Sequence, residues 1–177
     1  FYKFLSYDKR KPLEVIHLAL DAPVQFNSLL FIPDTYEEYF TGNNEHWGLD
    51  LYVRRVLLQR ENKEVLPDYL AFVKGVVDTE DLPINISRET LQENRVLRKI
   101  KQTVTKQVLS KLTDMAKDNP ETYKTFWELH GKVFKLGYRD FANRELFAPL
   151  LRFNSSALES TNEFTSLDDY ISRAKEG

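Results

Sequence analysis

The sequence has no cysteine and only one methionine in 177 residues. Without cysteine, disulfides, thiolate nucleophiles and zinc–thiolate centres are excluded, and a reducing, cytoplasmic setting is the expectation. No apolar run approaches the roughly 20 residues that a membrane span requires. No signal-peptide pattern is visible, and Phe1 stands where an initiator methionine would, so the chain reads as a piece of a longer protein. Neither charge sign dominates: 25 Lys and Arg face 27 Asp and Glu, a net charge of -2. With a pI near 6.0, this balance argues against nucleic acid as the main partner. The phosphate-cradling P-loop and GxGxxG are missing, as are the GxSxG nucleophile elbow and HExxH. His17, His46 and His130 lie too far apart in sequence to suggest a metal site, and none is expected.

What remains is a globular composition, 42% hydrophobic, 13% aromatic and 29% charged, sized for one domain or one domain with a helical appendage. Phe1–Ser6 reads as the tail of a helix. Glu14–Leu20 and Val24–Ile32 are apolar-rich strands joined by Asp21–Pro23, a hairpin pattern. Pro33–Gly48 is a long polar loop that nevertheless carries Tyr36, Tyr39, Phe40 and Trp47. Exposed apolar clusters mark contacts, so these four are candidate protein-binding residues; the competing reading folds the rings back onto the sheet. Leu49–Gln59 reads as a third strand, dense in β-formers, whose Arg54 and Arg55 require one wet face or edge. Residues 61–64 make a turn, Pro67 opens a short helix over Leu66–Phe72, and Val73–Val77 is a fourth strand. Strands alternating with helices imply an α/β (α+β) fold, a sheet covered on both faces as a three-layer αβα sandwich.

From Ser87 onward the pattern is helical. Leu97, Ile100, Val104, Val108, Leu112 and Met115 recur at i+3/i+4 and form one apolar stripe over about five turns. Lys117–Pro120 ends this helix, and Pro120 suits the first turn of the next. Tyr123, Phe126, Trp127, Val133, Phe134 and Leu136 make an aromatic helix that Gly137 stops. Asp140–Arg152 reads as a third helix, and Ser166 caps a last one through Arg173. The basic face of the first helix (Arg95, Arg98, Lys99, Lys101, Lys106) reads as solvated, with a nucleic-acid stripe as the alternative. The division is residues 1–86, the αβα part, and 87–177, a helical coil.

The most informative stretch joins the two parts. Asp78–Asn94 passes from an acidic turn, which Pro83 bars from continuing as strand, to Ser87, an N-cap candidate for a helix through Lys117. Arg88 follows that cap, where a cation opposes the helix dipole at ~0.3–1 kcal/mol. A rule broken beside free backbone N–H donors suggests an anion site; the alternative is an exposed arginine paired with Glu89 or the neighbouring acids.

Gly75–Gln92, GVVDTEDLPINISRETLQ, resembles the middle domain of the heat-shock protein 90 family of molecular chaperones, which includes bacterial HtpG. FYKFLS at the start, SLLFIP (Ser28–Pro33), LYVRRV (Leu51–Val56), KTFWELHG (Lys124–Gly131), LLRFNSSAL (Leu150–Leu158) and TSLDDYISRAKEG (Thr165–Gly177) match in order, so the resemblance covers the whole chain. It implies an ATP-dependent chaperone whose N-terminal domain, outside this sequence, holds ATP with Mg. The family's catalytic-loop arginine maps onto Arg88, which would reach the γ-phosphate, and its supporting glutamine onto Gln92. Implied partners are that N-terminal ATPase domain, client proteins, and a second copy joined through a C-terminal dimerisation domain; no nucleic acid and no membrane are implied. This fragment alone is expected neither to bind ATP tightly nor to hydrolyse it. Two positions depart from the family pattern. Leu57 stands where a phenylalanine commonly packs near the catalytic loop, and Lys9 where relatives often expose an aromatic to clients. A stand-alone protein-interaction module is the competing class.

Overall fold

A computed structural model describes residues 1–6, 8–37, 46–83, 94–156, 158, 160 and 163–174. Five strands form one mixed sheet: β1 (Glu14–Leu20), β2 (Phe26–Ile32), β3 (Leu49–Val53), β4 (Val56–Asn62) and β5 (Lys74–Thr79). Their order across the sheet is β1-β2-β5-β3-β4. β1 and β2 are the expected hairpin, pairing Glu14 with Ile32 and Leu20 with Phe26. β5 inserts between β2 and β3, antiparallel to the first and parallel to the second.

The stretch Leu49–Gln59 is not one strand. It turns back at Arg54 and Arg55, so that Val53 pairs with Val56. Both arginines have positive φ, 51° and 67°, the geometry of a type I′ two-residue hairpin turn. Such turns favour Asn-Gly, and each side chain held in this region costs on the order of 1 kcal/mol. The wet edge foreseen for these arginines is a hairpin tip. β4 then runs through Asn62, so residues 61 and 62 are strand, and a 3-10 turn follows at Lys63–Val65. The expected helix after Pro67 is a single 3-10 turn, Asp68–Leu70.

Alternation along β2 sorts its side chains onto two faces. Phe26, Leu30 and Ile32 join a cluster with Leu51, Val53 and Val77 from the sheet and Leu97, Ile100, Val104, Val108 and Leu112 from the long helix. That cluster is continuous across residues before and after position 86. Phe31 points the other way and packs on Tyr2, ring centroids 5.1 Å apart, from the short helix α1 (Tyr2–Ser6). The fold is α/β, with an unequal second covering layer: among the described residues it is helix α1 alone.

The long helix α2 spans Arg95–Asp118, and every residue of the foreseen stripe is buried. It does not run unbroken from Ser87. Asn94 sits in extended conformation and accepts from the Val96 N–H at 2.8 Å, a side-chain cap that starts the helix one residue later. α3 (Pro120–Phe134) opens on Pro120 as expected and buries Tyr123, Phe126, Trp127, His130 and Phe134. Gly137 does not stop it. A 3-10 stretch, Lys135–Arg139, carries the chain past Gly137 and leaves Leu136 exposed. The helix expected over Asp140–Arg152 is broken into a 3-10 turn at Phe141–Asn143, α4 (Arg144–Phe147) and another 3-10 turn at Ala148–Leu150. Asp140 drives that break: it accepts from the Asn143 N–H and side chain and from the Tyr69 hydroxyl. Burial, then the Asp140 carboxylate, hold the Tyr69 phenol well above its ordinary pKa. The last helix, α5 (Leu167–Arg173), carries the capping box formed by Ser166 and Asp169.

Candidate functional site

The segment 84–93, which holds Arg88 and Gln92, lies outside the described residues, as do Tyr39 and Phe40. The residues on either side of it are held by hydrogen bonds and core packing. On its N-terminal side, the last residue of β5, Thr79, pairs with Val53 and is buried. Its hydroxyl donates to the Gln25 carbonyl at 2.7 Å and accepts from the Asp81 N–H at 3.2 Å. The Asp81 carboxylate accepts in return from the Gln25 N–H at 2.9 Å. Leu82 follows into the core. The acidic turn is thus a clasp holding β5 to the start of β2; Asp81 is exposed, but its charge is spent on a backbone donor. On the C-terminal side, Asn94 caps α2, and Leu97 drops into the same core. The described residues before and after this segment are therefore both tied into the fold.

The Arg54–Arg55 turn is bolted to this end. The Arg54 N–H donates to the Thr79 carbonyl at 3.2 Å, and the Arg55 N–H to Asp78 Oδ1 at 3.1 Å. Both side chains are exposed, and among the described residues no ion pair or side-chain hydrogen bond engages either guanidinium. Sequence reading saw these residues only as a wet patch. The available signal was the Arg-Arg pair splitting two apolar triplets, LYV and VLL.

The candidate contact aromatics separate. Tyr36 is 53% exposed, whereas Trp47 is 9% exposed and belongs to the core cluster, with Lys63 Nζ 5.2 Å from its ring centroid. One edge of Trp47 reaches a concavity of about 280 Å³ on the α1 side of the sheet, which Phe4, Asp50, Tyr52, Arg60 and Lys74 also line. Among the described residues, no group of three metal-ligating side chains comes together, and no helix is long and apolar enough to cross a membrane.

Comparison with known proteins covers the whole chain. The family model described as Hsp90 protein matches residues 1–177. The chaperone protein HtpG of Nitratidesulfovibrio vulgaris is 64% identical over 177 residues, all of this chain and 28% of that protein. HtpG of Oleidesulfovibrio alaskensis is 58% identical over the same span, and HtpG of Escherichia coli O1:K1 is 42% identical over 178 residues. The chain spans 28% of the length of these relatives.

Proposed function

The chain belongs to the Hsp90 protein family, and from that premise we propose that it is the middle segment of an ATP-dependent chaperone. It completes, from outside, the active site of an N-terminal domain that holds ATP and Mg. Arg88 is the residue it supplies. A guanidinium is permanently charged and bonds two phosphate oxygens at once, so it stabilises the charge that develops as the γ-phosphoryl group departs. Delivering it from a second domain makes hydrolysis conditional on docking, the logic of an arginine finger. Gln92 supports the same contact. The observation that supports this reading is the anchoring of the residues that flank the segment bearing Arg88 and Gln92: the Thr79–Asp81 clasp before it and the Asn94 cap after it. A segment tied at its ends can present a side chain to a docking partner without moving the fold beneath it.

The remaining parts of the reading concern the longer protein: clients to be folded, a homodimer joined through a C-terminal domain, and a cytoplasmic location. The client surface proposed here is the loop around Tyr36, Tyr39 and Phe40. ATP turnover by the full-length parent tests the central step. Arg88→Ala and Gln92→Ala should both lower it while nucleotide affinity holds. Unchanged turnover in both would return the chain to the class of interaction modules. Cross-links from an unfolded client that avoid residues 33–48 would remove the client surface.

A further inference from the structure

The five residues that follow β2, 33 to 37, have no regular secondary structure. Three polar ties hold them to the fold. The Pro33 carbonyl accepts from His130 Nε2 of α3 at 2.8 Å. The Thr35 hydroxyl donates to Asp8 Oδ2 at 3.0 Å, an oxygen that also accepts from the Tyr2 hydroxyl at 3.3 Å. Glu37 pairs with Lys74 Nζ of β5 at 2.8 Å. Tyr36, between the last two ties, is exposed. Each tie runs through an imidazole or a carboxylate, so each contains a group that acid can change.

The three do not respond alike. Protonating a surface carboxylate removes a pair of small worth, whereas protonating His130 puts a charge in the core. An imidazolium has two N–H donors to satisfy. The Pro33 carbonyl takes one, and Nδ1 has no partner among the described residues. The ring lies against Phe72 and Phe126, with centroids 4.7 and 5.6 Å away. Both rings belong to the core cluster and cannot withdraw without dismantling it. An acceptor for Nδ1 must therefore arrive from the side of residues 33–37, as water or as a carboxylate. The charged groups that act on the ring lie on that side: Glu37 and Asp34 attract a proton to it, and Lys74 opposes one. Burial lowers the His130 pKa to about 4, so the ring is neutral and the ties are closed at neutral pH. Asp8 yields later than an ordinary carboxylate, because the Arg10 backbone N–H, then the Thr35 hydroxyl and the Arg10 charge, hold its carboxyl low.

We propose that Pro33–Glu37 is an acid-released strap: protonation of His130 parts Pro33 from α3 and draws Glu37 from Lys74, so that Tyr36 swings about the Thr35–Asp8 tie while the sheet and α2 stay folded. The strap needs neither nucleotide nor Arg88, and it stands apart from the reading given above.

The test attaches a fluorophore at position 36, through Tyr36→Cys in a full-length parent whose other cysteines are replaced. Its anisotropy is followed from pH 7.5 to pH 3.5 beside far-UV circular dichroism. The account predicts a fall in anisotropy between about pH 5 and pH 4 while the ellipticity holds. His130→Gln keeps an N–H for the Pro33 carbonyl but cannot take up the proton, and should move the fall about one pH unit lower or more. Lys74→Met removes both the Glu37 tie and the opposing charge, and should move it to higher pH. A fall that coincides with the loss of ellipticity would overturn the strap, as would constant anisotropy down to unfolding. An unchanged midpoint in either variant would overturn it too, and Lys74→Met, a change at a half-buried surface position, keeps that arm open if His130→Gln does not fold.

Discussion

His130 Nε2 donates to the Pro33 carbonyl at 2.8 Å, tying the middle of α3 to the exit of β2 across the core. The bond fixes the neutral tautomer with its proton on Nε2. The ring stacks on Phe72 at 4.7 Å, and Nδ1 is buried with no hydrogen-bond partner among the described residues. Burial outweighs the Pro33 carbonyl and the nearby Glu37 and Asp34, and lowers the His130 pKa to about 4.

A pH dependence follows from that shift. The unfolded chain takes up this proton near pH 6.5, the folded one only near 4, so the unfolded state binds more protons between those values. The contribution is fully present above pH 6.5 and is lost as pH falls towards 4. Its total is on the order of 3 kcal/mol, of which roughly 2 kcal/mol is gone by pH 5. Urea midpoints at pH 7.5 and pH 5 measure the loss. His130→Gln, which keeps an N–H donor and removes the titration, should flatten this part of the profile; an unchanged slope would show that other groups cause it.

Gly75 is the second residue of β5, opposite Leu30, with φ +155°. An added Cβ would stand 2.4 Å from the Leu29 carbonyl oxygen and 2.9 Å from Leu30 Cα, both backbone atoms that cannot move aside. Gly75→Ala should therefore cost roughly 3 kcal/mol by overpacking and parting β5 from β2. Chemical denaturation reads this directly, and a wild-type midpoint would contradict the close approach of the two strands.

The arrangement was unevenly legible in the sequence. The α2 stripe could be read because a helix of 24 residues repeats its 3.6-residue period several times over. Pro120 and Ser166 announced helix starts because each suits the first turn or cap of a helix and stands just before a helical pattern. The β3–β4 hairpin was hidden by its own turn: two arginines lack the Asn-Gly chemistry of such a turn, and their only signal, a polar pair between two apolar triplets, also fits one strand with a wet edge. Asp140 was equally opaque, since its partner Tyr69 lies 71 positions away and nothing local foretold a broken helix. Trp47 shows the limit for exposed aromatics, because burial against the sheet depends on tertiary placement, which a polar loop context does not encode. Of the candidate site, the motif around Arg88 was visible, whereas the clasp that anchors it depends on Gln25, 54 residues from Thr79.

That clasp can be loosened without touching Arg88. Thr79→Val keeps the shape of a buried side chain but removes the hydroxyl that donates to Gln25 and accepts from Asp81. The expected loss of stability is about 1–2 kcal/mol, the net worth of two part-buried hydrogen bonds. Turnover by the full-length parent should fall about tenfold or more, because the segment bearing Arg88 loses one fixed end. Thermal melting and steady-state ATPase assays check the two effects. Lower stability with wild-type turnover would show that anchoring does not matter to the chemistry.

The most direct measurement is single-turnover hydrolysis of pre-bound ATP by the full-length parent, comparing wild type with Arg88→Ala and Arg88→Lys. The account predicts a fall of ~100-fold or more for alanine with ATP affinity and melting temperature retained, equivalent to several kcal/mol of transition-state stabilisation. Lysine should recover only part of it, because a point charge cannot bond two phosphate oxygens in the plane of a guanidinium. Wild-type rates in both variants, with ATP bound, would contradict the claim that this chain supplies the catalytic cation.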